Sequence, residues 1–234
     1  MLGGDCPASQ RAARVIIPAH MSKLRLQSSL SLDGFAAGPD QSVANPLGVG
    51  GMRLHEWIFP LTAWRAMHGL EGGEATASTP VIEEIQANVG AGIMGRNMFG
   101  GQPGPWNAQQ PWNGWWGDDP PFHYPVFVLT NHPRAPLVAK GGTTFHFVTE
   151  GIEAALTQAR QAAGSRDISL AGGASAARQF LAAGLIDEMW LHLVPILLGS
   201  GERLFDDGLD DLRGLALVKT VQGAGVVHLK LARP

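Results

Sequence analysis

Gly172 and Gly173 stand between a short apolar run, Ile168 to Ala171, and a helical pattern from Ala174 to Ala183 that stops at Gly184. A glycine pair lets the backbone turn without a Cβ in the way. The helix it opens presents free amide N–H groups and the positive end of its dipole, which suits a phosphate. An ordinary strand-to-helix turn has the same composition, and both readings stand at this point. Ser175 adds a third. Gly173-Ala174-Ser175-Ala176-Ala177 differs from the Gly-x-Ser-x-Gly nucleophile elbow of α/β hydrolases by one residue, alanine replacing the second glycine. Such a hydrolase would need an acid from Asp187 or Asp206 and a base from His192 or His228, yet His192 falls in an alternating strand and His228 at the last hairpin. A second cluster is Trp106, Trp112, Trp115 and Trp116 on a proline-rich stretch, 100 to 125. Tryptophans on an irregular loop are costly to leave in water. They roof a pocket for a planar heterocycle, bury themselves between subunits, or pack the loop onto the domain. The histidines show no metal-ligand spacing, so no metal is expected.

The elements that must carry these residues read as follows. Leu24, Leu26, Ser28, Leu30 and Leu32 alternate as a strand does, ending at Asp33-Gly34. A glycine-rich loop runs from Gly38 to Gly51, and Leu54, Trp57, Ile58 and Leu61 have helical spacing that Pro60 limits. Thr79-Pro80 predicts an N-cap and a helix to about Asn88. Strands are expected at 91–94, 126–130 and 145–148, with Thr149 capping a helix whose apolar face is Ile152, Ala155, Leu156 and Ala159. Val194 to Leu198 reads as a further apolar strand interrupted by Pro195. The segments 215–221 and 226–231, joined by Gly223-Ala224-Gly225, read as a closing antiparallel pair. Strands alternating with helices imply an α/β fold with a mostly parallel sheet.

The bulk composition sets the bounds. The 234 residues are 45% hydrophobic and 16% charged, with net charge −3. One domain over 21–234 is expected, after a loosely ordered extension over 1–20. A chain without basic excess is not expected to bind nucleic acid or an anionic membrane. The single cysteine, Cys6, fits a reducing compartment, and the expected location is the cytoplasm.

Five segments resemble, in order, those of the dihydrofolate-reductase-like superfamily. They are Ser29-Leu30-Ser31-Leu32-Asp33-Gly34-Phe35-Ala36-Ala37, Ile93-Met94-Gly95-Arg96-Asn97-Met98-Phe99, Val126-Phe127-Val128-Leu129-Thr130-Asn131-His132, Leu170-Ala171-Gly172-Gly173-Ala174, and His192 through Gly201. The last is similar to the branch formed by the reductase domain of bifunctional riboflavin biosynthesis enzymes. The resemblance implies a three-layer α/β/α fold whose mostly parallel sheet ends in an antiparallel hairpin. It implies an NADPH-dependent reductase that transfers a hydride to a C=N or C=O bond of a small pterin- or pyrimidine-like substrate. A homodimer formed over 194–198 is expected from the same branch. Carried onto this chain, the cofactor site comprises Ala36, Ala37, Gly95, Arg96, Thr130, Asn131, Arg134, Gly172, Gly173, Ala174 and Ser175. Either arginine suits the 2′-phosphate of NADPH, or stands in a surface ion pair. Asp33 matches the acidic residue of the first motif and is also a turn-forming aspartate. Glu56 is the second acid candidate. Trp115, Trp116 and Gly199 are expected at the substrate. Two rivals remain: a hydrolase using Ser175, and a nucleotide-binding protein of this fold without turnover.

Overall fold

The computed structural model describes residues 22–206, 209 and 211–234. The extension expected over 1–20 lies outside the described residues.

The first strand, β1 (Leu24–Ser31), turns at Asp33-Gly34 into the short β2 (Phe35–Ala37). Gly34 has φ +86°, a conformation glycine adopts freely. A 3₁₀ turn at Gly51–Leu54 leads to α1 (Thr62–Met67), α2 (Thr79–Gln86), β3 (Val89–Gly95) and α3 (Arg96–Phe99). The tryptophan loop then runs to β4 (Pro125–Leu129) with no helix or strand. The chain continues through β5 (Leu137–Val138), β6 (Thr144–Val148), α4 (Ile152–Ala163), β7 (Asp167–Gly172), α5 (Ala174–Ala182) and β8 (Glu188–Val194). It closes with β9 (Glu202–Arg203), β10 (Ala216–Gly223) and β11 (Val226–Ala232).

The main sheet has the order β10-β11-β8-β1-β7-β3-β4-β6-β5. All pairs from β8 to β6 are parallel, which carries their carboxyl ends to one side of the molecule. The expected antiparallel hairpin adds at one edge through β11 and β8. The other edge carries a further antiparallel strand, β5. β2 and β9 pair separately.

Alternation along the central strands builds two unlike faces. Leu24, Leu26, Ile93, Ile168, Leu170, Met189 and Leu191 pack under α4 and α5 against Ala155, Leu156, Phe180 and Leu181. This face is apolar throughout. On the other, Trp190 and Val194 meet Leu54, Trp57 and Leu61 and the α2 residues Val81, Ile82 and Ile85. Beside them Met94, Val126 and Val128 support the tryptophan loop. Sheet and two covers make the three layers.

Four local expectations need correction. Leu54, Trp57 and Leu61 do share one buried face, but the chain there is a 3₁₀ turn and successive turns, helical only from Thr62. The N-cap of α2 is Ser78 rather than Thr79, and its hydroxyl is drawn away to His228, so it makes no side-chain cap bond. Gly151, not Thr149, caps α4. The strand expected through Leu198 ends at Val194, because the segment after Pro195 folds back onto β1: Leu32 donates to Ile196 at 2.9 Å.

Candidate functional site

Four parallel strands, β3, β4, β6 and β7, end around a cavity of about 350 Å³. β3 delivers Gly95 and Arg96, β4 delivers Thr130 and Asn131, and the β7–α5 turn delivers Gly173 and Ser175. Each glycine has its own reason. A Cβ on Gly95 would come within 3.1 Å of the Ala176 Cβ, so the glycine lets α5 close onto β3. A Cβ on Gly173 would meet nothing within 4 Å and would stand in open cavity. The Gly172–Gly173 peptide is cis. Glu202, which the sequence reading missed, accepts a hydrogen bond from the Ser175 amide at 3.2 Å and lies 4.0 Å from Arg178. Its carboxylate is the acid on this wall.

The two arginines are committed to the tryptophan loop. Arg96 donates to the Gly100 carbonyl and to the Gln102 carbonyl at 2.9 Å, with its guanidinium carbon 3.5 Å from the Trp106 ring centroid. Its buried Nε has no hydrogen-bond partner among the described residues. Burial, and then the neighbouring charge of Arg134, lower the pKa of Arg96. Arg134 donates to the Trp112 carbonyl at 2.5 Å and to Asn113 Oδ1 at 2.7 Å. Arg96 lines the cavity and Arg134 does not.

A second cavity, about 430 Å³, joins the first at Asn97, Gly173 and Glu202, which line both. Ala36, Ala37, Gly172 and Ala174 lie on its walls. So do Trp115 and Trp116. The indole of Trp115 donates to Met98 O at 2.9 Å and that of Trp112 to Phe99 O at 2.8 Å. Trp106 donates to His132 O at 2.8 Å. The loop therefore packs onto the domain and walls a pocket together, two roles the sequence reading had set apart. A third cavity of about 630 Å³ shares Gln27, Ile58, Met98, Trp116 and Ala171 with the second.

The expected acids sit elsewhere. The Asp33 carboxylate accepts the Leu198 amide at 3.2 Å and the Gly199 amide at 2.7 Å, tying the loop after β8 to the end of β1. The Ser31 hydroxyl contributes most to its acidity, burial opposes, and the two amides add, so its carboxyl is held down to about 2. It is an anionic turn residue, and neither it nor Gly199 lines the two joined cavities. Glu56 is exposed and also lines neither, while its neighbours His55 and Trp57 line the second. The hydrolase arrangement is not formed. Ser175 is exposed, Asp187 accepts the Leu24 amide at 2.8 Å, Asp206 pairs with Arg178 at 3.0 Å, and the two histidines bond to each other.

That histidine pair is the other feature the sequence reading passed over. His192 on β8 and His228 on β11 are opposite one another in register, with Nδ1 to Nδ1 2.8 Å apart. His228 Nε2 is 2.9 Å from Ser78 Oγ. Burial first, then the charges of His228 and His55, push His192 down to about 3. Burial pushes His228 down to about 4. Both rings are neutral at ordinary pH. The signal in the sequence was polarity out of place: His192 interrupts the apolar run Met189 to Val194.

Helices on both faces of a mostly parallel sheet, with a cleft at the strand carboxyl ends, define a dihydrofolate-reductase-like α/β fold of the reductase type. The chain belongs to the RibD C-terminal domain family, whose model matches residues 22–229. Among solved structures it is similar to a putative riboflavin biosynthesis protein from Shewanella sp. PV-4. That likeness has 19% identity and a TM-score of 0.54, and covers 91% of this chain and 99% of that one. It is similar as well to a diaminohydroxyphosphoribosylaminopyrimidine deaminase/5-amino-6-(5-phosphoribosylamino)uracil reductase from Thermotoga maritima, at 12% identity and a TM-score of 0.55. There the match covers 92% of this chain and 57% of the other. A curated relative, the uncharacterized protein YwjB of Bacillus subtilis (strain 168), is 34% identical over 87 residues. These are 37% of this chain and 49% of YwjB, so the match spans about half the length of that relative. No helix among the described residues is long and apolar enough to cross a membrane.

Proposed function

We propose that the chain is an NADPH-dependent reductase that transfers a hydride to a C=N or C=O bond of a small pterin- or pyrimidine-like substrate. The observation that carries this reading is the junction at Gly173. On one side lie backbone amides and short polar side chains, and on the other a slot walled by alanines and tryptophans. The residues present fit the cofactor. Gly173 leaves open the space a side chain would fill, and the N-terminus of α5 offers amide donors to a phosphate. Gly95, Thr130, Asn131, Gly173 and Ser175 would hold the phosphates and ribose, with Arg96 nearest for a 2′-phosphate. When bound, NADPH supplies the hydride.

The chain's own residues do the rest. Ala36 and Ala37 leave room for a flat ring against β2, and Gly172 and Ala174 keep the opposite wall low. Trp115 and Trp116 shield the slot from water, which strengthens polar contacts inside it. Asp33, anionic and bonded to amides, is not available as a proton donor.

The test is loss of reduced-nicotinamide absorbance across a panel of pterins, pyrimidines and small carbonyl compounds. Oxidation of NADPH by one of them is the expected result. A nucleotide-binding protein without turnover is the second reading, favoured by the absence of Asp33 and Glu56 from the cavity walls. Cofactor binding with no turnover on any of the panel would establish it. A homodimer belongs to the first reading and is supported by exposed Leu197 on the loop after β8. Light scattering that gives a monomer at micromolar concentration would remove it.

A further inference from the structure

We propose that His192 is the residue with which the cleft reads its substrate. With its Nδ1 held by His228, its Nε2 hydrogen-bonds a polar edge atom of a planar heterocycle seated between Ala36 and Trp115. This rests on the cleft being a substrate site and adds the group that recognises the ligand.

One ring nitrogen of His192 is orphaned. His192 is 3% exposed and lines the second cavity. Its Nδ1 is taken by His228, whose Nε2 is in turn taken by Ser78. Its Nε2 has no partner among the described residues. A buried polar atom left unpaired costs free energy, and an apolar side chain in the same place would carry no such cost. The partner must therefore come from the adjoining cavity, and because Nε2 itself is closed to solvent in the free chain, a ligand reaches it through a small movement of its surroundings.

The environment keeps that nitrogen versatile. Trp57 packs against both rings, with centroids 4.9 Å from each. Ser29 on β1 lies beside His192 in register and lines the same cavity. The titratable groups facing His192 are His228 and His55. Among the described residues no salt bridge fixes either ring of the pair as a cation. In one tautomeric arrangement the Ser78 hydroxyl donates to His228, His228 Nδ1–H donates to His192, and His192 Nε2–H donates into the cavity. In the other every bond is reversed and His192 Nε2 accepts. A heterocycle that carries N–H and C=O or ring nitrogen on one edge can be met by either form.

The test uses the full chain and two named probes, pterin and uracil. Long-range ¹H–¹⁵N spectra of the histidine rings are recorded during titration of each probe. The expected result is a shift of His192 Nε2 with at least one probe. His192→Phe should weaken that probe by about tenfold or more, as loss of a buried hydrogen bond does, while NADPH affinity changes by less than about twofold. His192→Gln, which keeps a donor and an acceptor, should recover part of the loss. Failure of both probes to bind, binding that leaves Nε2 unshifted, or equal affinity in His192→Phe would overturn the proposal. Should His192→Phe fail to fold, the shift in the unaltered chain and the glutamine variant decide. Probe binding through His192 without NADPH binding would remove the reductase reading and leave this one standing.

Discussion

Acidification from about pH 7 to about pH 5 should weaken the fold by about 3–4 kcal/mol through His192 and His228 together. Burial, and for His192 also its histidine neighbours, holds these rings at about 3 and about 4, against 6.5 for an imidazole in the unfolded chain. The folded state therefore keeps them neutral while the unfolded state takes up protons. Their contribution is fully present above 6.5 and is lost as pH falls toward the folded values. Each proton taken up on unfolding costs about 1.4 kcal/mol per pH unit, which over this window comes to about 2 kcal/mol per ring. For a chain of this size that is a fall of roughly 6–16 °C in melting temperature. Urea unfolding at fixed ionic strength measures it. His55 and His146 are lowered by burial too and add in the same direction, so the pair is isolated by a double variant. His192→Gln with His228→Gln should be less stable near neutrality but clearly flatter with pH. Asp33, held to about 2, adds almost nothing here because its contribution fades only below the ordinary carboxylate range. A double variant with the pH dependence of the parent would refute the reasoning.

Three further outcomes are expected. Arg96→Ala should weaken NADPH by about tenfold or more, as loss of a charge-assisted bond does, and NADH far less. Equal loss in two isothermal titrations would assign Arg96 to the tryptophan loop alone. Gly173→Ala adds a methyl group where nothing lies within 4 Å, so melting should change little while NADPH binding weakens. Retained binding would move the cofactor away from this turn. Arg25 is 3.3 Å from Asp167 and 3.4 Å from Glu188 at the other end of the sheet, all three side chains being nearly buried. Arg25→Met takes the cation from Asp167, while Glu188 keeps Lys230 at 3.1 Å, and should cost about 3 kcal/mol in chemical denaturation, with cofactor binding unchanged at saturating stability. A cost near zero would show that water reaches the pair.

Strands β1, β3, β4, β6, β7 and β8 were legible because the chain alternates or runs apolar over enough residues to carry a period. The two-residue strands β5 and β9 carry none, and only their pairing defines them. Leu54 to Leu61 shows how spacing can be right and conformation wrong. Three turns in sequence bury the same face that a helix would, and Pro60 favours the turns. At the site, glycines were the readable part, since a missing Cβ has few reasons to be at a strand end. Charged and ring side chains were not. Arg134 and Asp33 are of the right type, but one is spent on loop carbonyls and the other on backbone amides. Their availability is decided by tertiary contacts that no local pattern encodes. His192 was hidden for the opposite reason: it stands in an apolar strand, and its partner is in another.

The polar wall of the second cavity has a consequence for how the molecule comes to exist. Ser78 and His228 are 150 positions apart, and His192 and His228 are 36 apart. β8 is interior to the sheet only once β11 has docked beside it. No fragment built from neighbouring segments can assemble this wall, and closing contacts so distant along the chain costs loop entropy before the contacts repay it. A partly folded chain therefore offers no weaker version of the site. Occupancy of the cleft registers completion of the sheet, and any ligand held there stabilises the docking of its last strand along with itself.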